Sequence, residues 1–303
     1  MQFDAALPEH REAIQKMARA LAPHFSNSVT PIGMSWGNGS SVQQHATGTF
    51  FQVGERYFLV SAAHAFYANG RLIGDLTVCN PVKAPDGRMR LEHVGINGEL
   101  HRTSTLPGSE DADLAVVELD HEVVSRLSGR RFLRLHEVQL CPTYPGWYFV
   151  YGFPKCQAGS RLGTPDYMLN GLVLAAPICR PPANLEKFCA DLHFVLNADR
   201  KSLVEMTTGE PATLPRYLNG ISGCSIWQTL RPGQRRFDGW DPNSIRVAGV
   251  EISYYPDRSL IKCAHWGIVA DILHRRYSDL RPIIDMYLDP EANRQPHIPV
   301  HRR

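Results

Sequence analysis

Two periodicities divide the chain. Over residues 8–25, Ile14, Met17, Ala18 and Leu21 recur at helical spacing, which predicts one amphipathic helix that Pro23 ends. From residue 30 the pattern becomes short apolar runs with β-branched and aromatic residues, separated by turn sequences. Strands are predicted at Thr30–Trp36, Gly48–Val53 and Arg56–Ser61, the last two joined at Gly54-Glu55 as a hairpin. Further strands are expected at Leu76–Cys79, Leu114–Leu119, Trp147–Tyr151, Met168–Ala175, Leu192–Leu196, Ser225–Trp227 and Ile245–Ser253. Residues 121–128 suit a short helix, and Ile268–Tyr287 a C-terminal helix interrupted by Pro282. Many short strands with helices at the ends indicate an all-β barrel or sandwich. A midline falls near 130–146, between two strand-rich halves.

Composition narrows the classes. The chain has 303 residues, enough for a sizeable core, with 43% hydrophobic and 20% charged residues, an ordinary globular balance. The net charge of +2 gives no electrostatic reason to expect nucleic acid or an anionic membrane as partner. No window is apolar enough to span a bilayer, and charges interrupt the first residues before a signal-peptide core could form. Seven cysteines at wide spacings include no Cys-x-x-Cys pair, so reduced thiols and a cytoplasmic location are expected, without a zinc site. No cofactor or metal is expected. His297 and His301 are separated by Pro299, and His93 and His101 have no carboxylate pair beside them.

Three segments carry chemistry. An apolar strand, Phe58–Ser61, runs into Ala62 and Ala63 and then His64, leaving an imidazole at a strand end. Asp113 opens the apolar run Leu114–Leu119, where a carboxylate needs a hydrogen-bond donor. Ser222 lies between Gly220 and Gly223, and glycines there let consecutive N–H groups aim at a developing oxyanion. A bare Gly-x-Ser-Gly recurs by chance in about one chain in ten of this length. The ordered set is more telling. A hydroxyl nucleophile needs a base, and the base an orienting acid.

These segments resemble those of the trypsin-like (chymotrypsin-fold) serine proteases, in the intracellular, disulfide-free bacterial type. The histidine segment is Ser61-Ala62-Ala63-His64, the aspartate segment Asp113-Leu114-Ala115-Val116-Val117, and the serine segment Gly220-Ile221-Ser222-Gly223-Cys224-Ser225. Ala248–Ser253 is similar to the strand that lines the family's specificity pocket. The resemblance implies two six-stranded antiparallel β-barrels with N- and C-terminal helices. The division expected is 1–29 as a helical extension, 30–135 and 136–267 as the two barrels, and 268–303 as C-terminal helix and tail. It implies a Ser-His-Asp endopeptidase of His64, Asp113 and Ser222, with backbone N–H groups of Gly220 and Ser222 as oxyanion hole. Arg216 would sit at the pocket base, and Ile252, Ser253 and Tyr254 along the substrate. The implied partners are a protein or peptide substrate inside the cell, including in bacterial antiphage systems, and a regulatory protein.

The sequence also departs from that family. Ile221 replaces the Asp that clamps a freshly cut N-terminal amine, Ala65 replaces a disulfide cysteine, and Cys224-Ser225 replace Gly-Pro. Other classes fit the residues less well. An α/β-hydrolase needs Gly-x-Ser-x-Gly, which Cys224 breaks. A catalytically silent binding module of the same fold would need a distorted Ser222 turn or a blocked cleft.

Overall fold

The computed structural model describes residues 8–288 apart from several loop segments, chiefly 37–40, 106–109, 143–146, 161–166, 206–217 and 229–244. The chain is mostly β. A first antiparallel sheet runs in the spatial order Met89–Gly95, Leu76–Lys83, Val29–Trp36, Ser41–Val53, Arg56–Ala62, Leu114–Leu119, Leu100–Arg102. The short strand Leu133–Arg134 adds to Ser41–Val53 in parallel. The second sheet closes on itself. Trp147–Gly152, Ser225–Gln228, Arg246–Tyr255, Leu260–His265, His193–Asn197 and Leu172–Cys179 form a ring, because the first of these also pairs with the last. The expected six-stranded barrel is therefore complete in the second half. In the first half no pair closes the ring among the described residues.

Strand pairing follows the apolar pattern. Phe58, Leu59, Val60 and Val116 are fully buried in central strands of the first sheet, and Trp227, Val247 and Ile261 in the second. Several strands do not show in the apolar pattern, five of them only two or three residues long and three others more instructive. Met89–Gly95 is a charged edge strand, Leu100–Arg102 is very short, and Leu260–His265 carries Lys262 and His265 inside a buried run.

The N-terminal helix spans Pro8–Ser28 and does not stop at Pro23. Packing overrides the proline's cost of about 3 kcal/mol, because Phe25 and Ser28 beyond it are fully buried. Met17, Leu21 and Phe25, spaced four apart, face one core. Phe25 stacks on Tyr151 at 5.2 Å and meets Trp227 at 5.1 Å, both on the second barrel. The same core takes Phe51 and Phe58 from the first sheet and Ile268, Ile272 and Ile284 from the C-terminal helices. One apolar cluster thus joins both sheets and both terminal helical segments.

The C-terminal segment is two helices, Gly267–Arg276 and Arg281–Leu288, not one. The break lies at Tyr277–Leu280, and Pro282 falls in the first turn of the second helix, where its missing N–H costs nothing. No described helix is long and apolar enough to cross a membrane.

Candidate active site

His64 and Asp113 are brought together by strand register. Ala62 pairs with Leu114 where Arg56–Ala62 and Leu114–Leu119 run antiparallel, so the residues just beyond each end face one another. The chain past Ala62 tightens into a short 3-10 turn, Ala63–Ala65. Ala63 and Ala65 are small enough to bury, and His64 between them projects outward.

Asp113 adopts φ +52°, a left-handed conformation that Asp tolerates better than most residues. The Thr103 hydroxyl pins the strand start, accepting from Leu114 N–H at 3.0 Å. Asp113 then grips the histidine turn three ways. Its carbonyl accepts from Ala63 N–H at 2.8 Å, Oδ1 from His64 N–H at 3.1 Å, and Oδ2 meets His64 Nδ1 at 2.6 Å.

With Nδ1–H donated to the carboxylate, the neutral ring carries its lone pair on Nε2. Burial alone would lower the affinity of His64 for a proton. The hydrogen bond and charge of Asp113, with help from Glu251, outweigh it and hold the imidazole above its usual value.

Ser222 lies in the turn Leu218–Gly223, half-buried. Leu218 and Ile221 anchor that turn in the apolar interior of the second barrel, which is why an apolar residue suits position 221. Gly220 and Gly223 have φ +98° and +86°, so both need glycine's freedom.

The turn is clasped by the first sheet. Thr47 N–H donates to Ser222 O at 2.9 Å, and its hydroxyl donates to Gly220 O at 2.8 Å. The same hydroxyl accepts from Phe153 N–H at 3.0 Å. A Cβ on Gly223 would fall 1.9 Å from Ser61 Oγ and 2.9 Å from Ala62 N. The serine turn therefore lies directly against the strand that ends in His64. Within the described residues Ser222 Oγ makes no hydrogen bond, to His64 or to any other group. Such contacts often tighten only when substrate is present.

The backbone donors of the turn divide cleanly. Ile221, Gly223 and Cys224 N–H groups donate to Leu218, Glu251 and Ile221 carbonyls. The N–H groups of Gly220 and Ser222 have no partner among the described residues.

Beyond Val250, which pairs with Ser225, the strand Arg246–Tyr255 continues with Ile252, Ser253 and Tyr254. On its other edge Ser253 and Tyr254 pair with Lys262 and Ile261. The edge facing the serine turn is unpaired there among the described residues.

Arg216 lies outside the described residues, as do His297 and His301. His93 sits 3.6 Å from Cys79 Sγ, and His101 Nε2 lies 2.9 Å from the Tyr277 hydroxyl. No cluster of His, Cys, Asp or Glu suited to a metal occurs among the described residues. Cys79, Cys179, Cys189, Cys224 and Cys263 are unpaired thiols. A surface cavity of about 620 Å³ beside Arg56, Glu118 and Asp279 includes none of the predicted site residues.

Two residues of this region were not singled out from sequence: Thr47, which ties the serine turn to the first sheet, and Glu251, a buried acid on the strand behind it. A lone acid inside the apolar run Val247–Ile252 was the available signal for the second. Thr47 gave none.

Two antiparallel β-units, the first carrying a histidine–aspartate pair and the second a glycine-flanked serine, are the architecture of the trypsin-like (chymotrypsin) fold. No family model matches the sequence, and no curated protein is similar to it. Among solved structures, the thermostable serine protease AL20 from an extremophilic microorganism is 9% identical. That match covers 82% of this chain and 97% of that one, with a TM-score of 0.47. A mutant of human heparin binding protein is 16% identical, over 85% and 92% of the two chains, with a TM-score of 0.49. The serine protease domain of the Sesbania mosaic virus polyprotein is 15% identical, over 82% and 92%, with a TM-score of 0.41.

Proposed function

We propose that the protein is a serine endopeptidase that cleaves peptide bonds through an acyl-enzyme. The observation that carries this reading is the double grip of the Asp113 carboxylate on His64 beside a serine turn whose Gly220 and Ser222 amides have no partner among the described residues. Ser222 Oγ attacks the scissile carbonyl. His64 Nε2 takes its proton and later gives it to the leaving amine, while Asp113 holds the tautomer and stabilises the imidazolium. The N–H groups of Gly220 and Ser222 take the oxyanion, water excluded from neither until substrate covers them. The substrate is an extended polypeptide added along Ile252, Ser253 and Tyr254. Arg216 as pocket base would favour an acidic residue before the scissile bond. Unpaired thiols suit a reducing, cytoplasmic setting, in which the substrate is a protein of the same cell, the antiphage setting included. With Ile221 in place of an amine-clamping acid, control falls to a protein partner that sets the Ser222 turn.

The rival reading, a silent binding module on this fold, draws on the unmade Ser222–His64 hydrogen bond. A fluorophosphonate probe separates the two. The proposal expects stoichiometric labelling that Ser222→Ala and His64→Ala abolish. Absence of labelling in folded protein, or labelling that survives Ser222→Ala, overturns it.

A further inference from the structure

Glu251 is an acid whose carboxyl has no partner among the described residues. It is 1% exposed, in a run whose neighbours Val247, Ala248, Val250 and Ile252 are buried too. Its backbone is bonded into the nucleophile turn on both sides: Gly223 N–H donates to Glu251 O, and Glu251 N–H donates to Cys224 O, each at 2.9 Å. The pairing of its strand with Leu260–His265 slips immediately after it, between Glu251 and Ser253. Its Oε2 has no hydrogen-bond partner among the described residues, and no lysine or arginine there forms an ion pair with it. Four titratable groups face it. His64 and Asp113 come from the first sheet, Cys224 from the serine turn, and Cys263 from directly across the strand pair.

A buried carboxyl without a donor is not kept for structure, because a neutral side chain would occupy the space at less cost. Burial pushes its proton affinity up to about 8. A charged His64 pulls it down, and Asp113 pushes it further up. The acid is therefore held largely neutral near pH 7, and its ionisation is coupled to that of the imidazole.

We propose that Glu251 is a positioning residue for the catalytic histidine: a buried carboxyl on the strand bonded to the serine turn that, once ionised, becomes a second counter-charge for the imidazolium formed during acylation. This rests on the reading of His64 as the base. No bond forms or breaks at Glu251. Its proton exchanges with solvent as pH rises, and the negative charge left behind stabilises His64 whenever His64 holds the proton of Ser222. The serine turn and the electrostatics of its base are thus set by one strand residue.

Two readouts test this. The first is the rate of fluorophosphonate acylation against pH. The unaltered protein should show two rises, one as His64 loses its proton and a second in the alkaline range. Glu251→Gln should retain only the first. The second readout does not need activity: NMR titration of the His64 ring and of ¹³C-labelled glutamate carboxyls. In the unaltered protein the His64 ring signals should show a second, smaller step in the alkaline range as Glu251 ionises, and Glu251→Gln should remove that step. In the unaltered protein one carboxyl should titrate near the alkaline value above, and His64→Ala should move it upward. That last measurement stands even if the Gln variant does not fold. A glutamate set that titrates wholly in the ordinary acidic range overturns the inference, as does a His64 ring with no alkaline step that Glu251→Gln removes. Failure of labelling in the unaltered protein with both NMR shifts present would instead sink the protease reading and leave the coupling standing.

Discussion

Gly223→Ala is the sharpest test of how the site is assembled. Its added methyl would sit 1.9 Å from Ser61 Oγ, 2.4 Å from Thr47 O and 2.9 Å from Ala62 N. Two of those three atoms are backbone in central strands, so they cannot swing aside. The residue also has φ +86°, which costs a non-glycine about 1–2 kcal/mol. Forcing a methyl into filled space adds about 1–3 kcal/mol. If the turn retreats, the Gly223–Glu251 hydrogen bond goes with it, at about 1 kcal/mol. The expected loss is then about 3–6 kcal/mol, or ~10 °C in thermal midpoint for a chain of this size. Acylation by fluorophosphonate should fall below detection, because Ser222 moves with its neighbour. Gly95→Ala is the control: nothing lies within 4 Å of its added methyl, and its midpoint should stay within about 2 °C. A Gly223→Ala protein that melts with the unaltered one and still labels would refute the contact between the serine turn and the first sheet.

Asp113→Asn keeps a residue that tolerates left-handed backbone but removes the charge on His64 Nδ1, so the fold should persist while the acylation rate drops about 10³–10⁴-fold; a loss under tenfold would count against the triad. Acylation should rise with pH through a midpoint above the ordinary histidine value, because only neutral His64 accepts the serine proton and Asp113 holds the charged form; a midpoint below 6.5 in a rate–pH profile would contradict the geometry. Phe25→Ala empties a fully buried site between Tyr151 and Trp227 and should cost about 3–5 kcal/mol in a denaturant titration. A cost under about 1 kcal/mol would mean that the N-terminal helix is not part of the core.

Much of this was legible because the physics was local. Leu114–Leu119 appears in the sequence as an apolar run broken only by Glu118 and in the structure as a strand of those limits, since a mostly buried run of that length admits little else. His64 and Asp113 could be singled out because each interrupts or ends such a run. What stayed hidden depends on partners far along the chain. The helix passes through Pro23 because Phe25 has a stacked ring waiting 126 positions later, at Tyr151, and no window of sequence contains both. Leu260–His265 looked unlike a strand because Lys262 is nearly buried there and directs its amine to Lys187 O, a contact that composition does not announce. Thr47 is an ordinary strand threonine until the second barrel delivers Gly220 and Phe153 to its hydroxyl.

That threonine makes the two halves of the chain mutually dependent. A hydroxyl from one sheet fastens the serine turn of the other, so neither half synthesised alone would hold Ser222 in this place. Any force that slides one sheet past its neighbour, whether a bound protein or a drawn-out N-terminal helix, acts on Ser222 through a lever one side chain long.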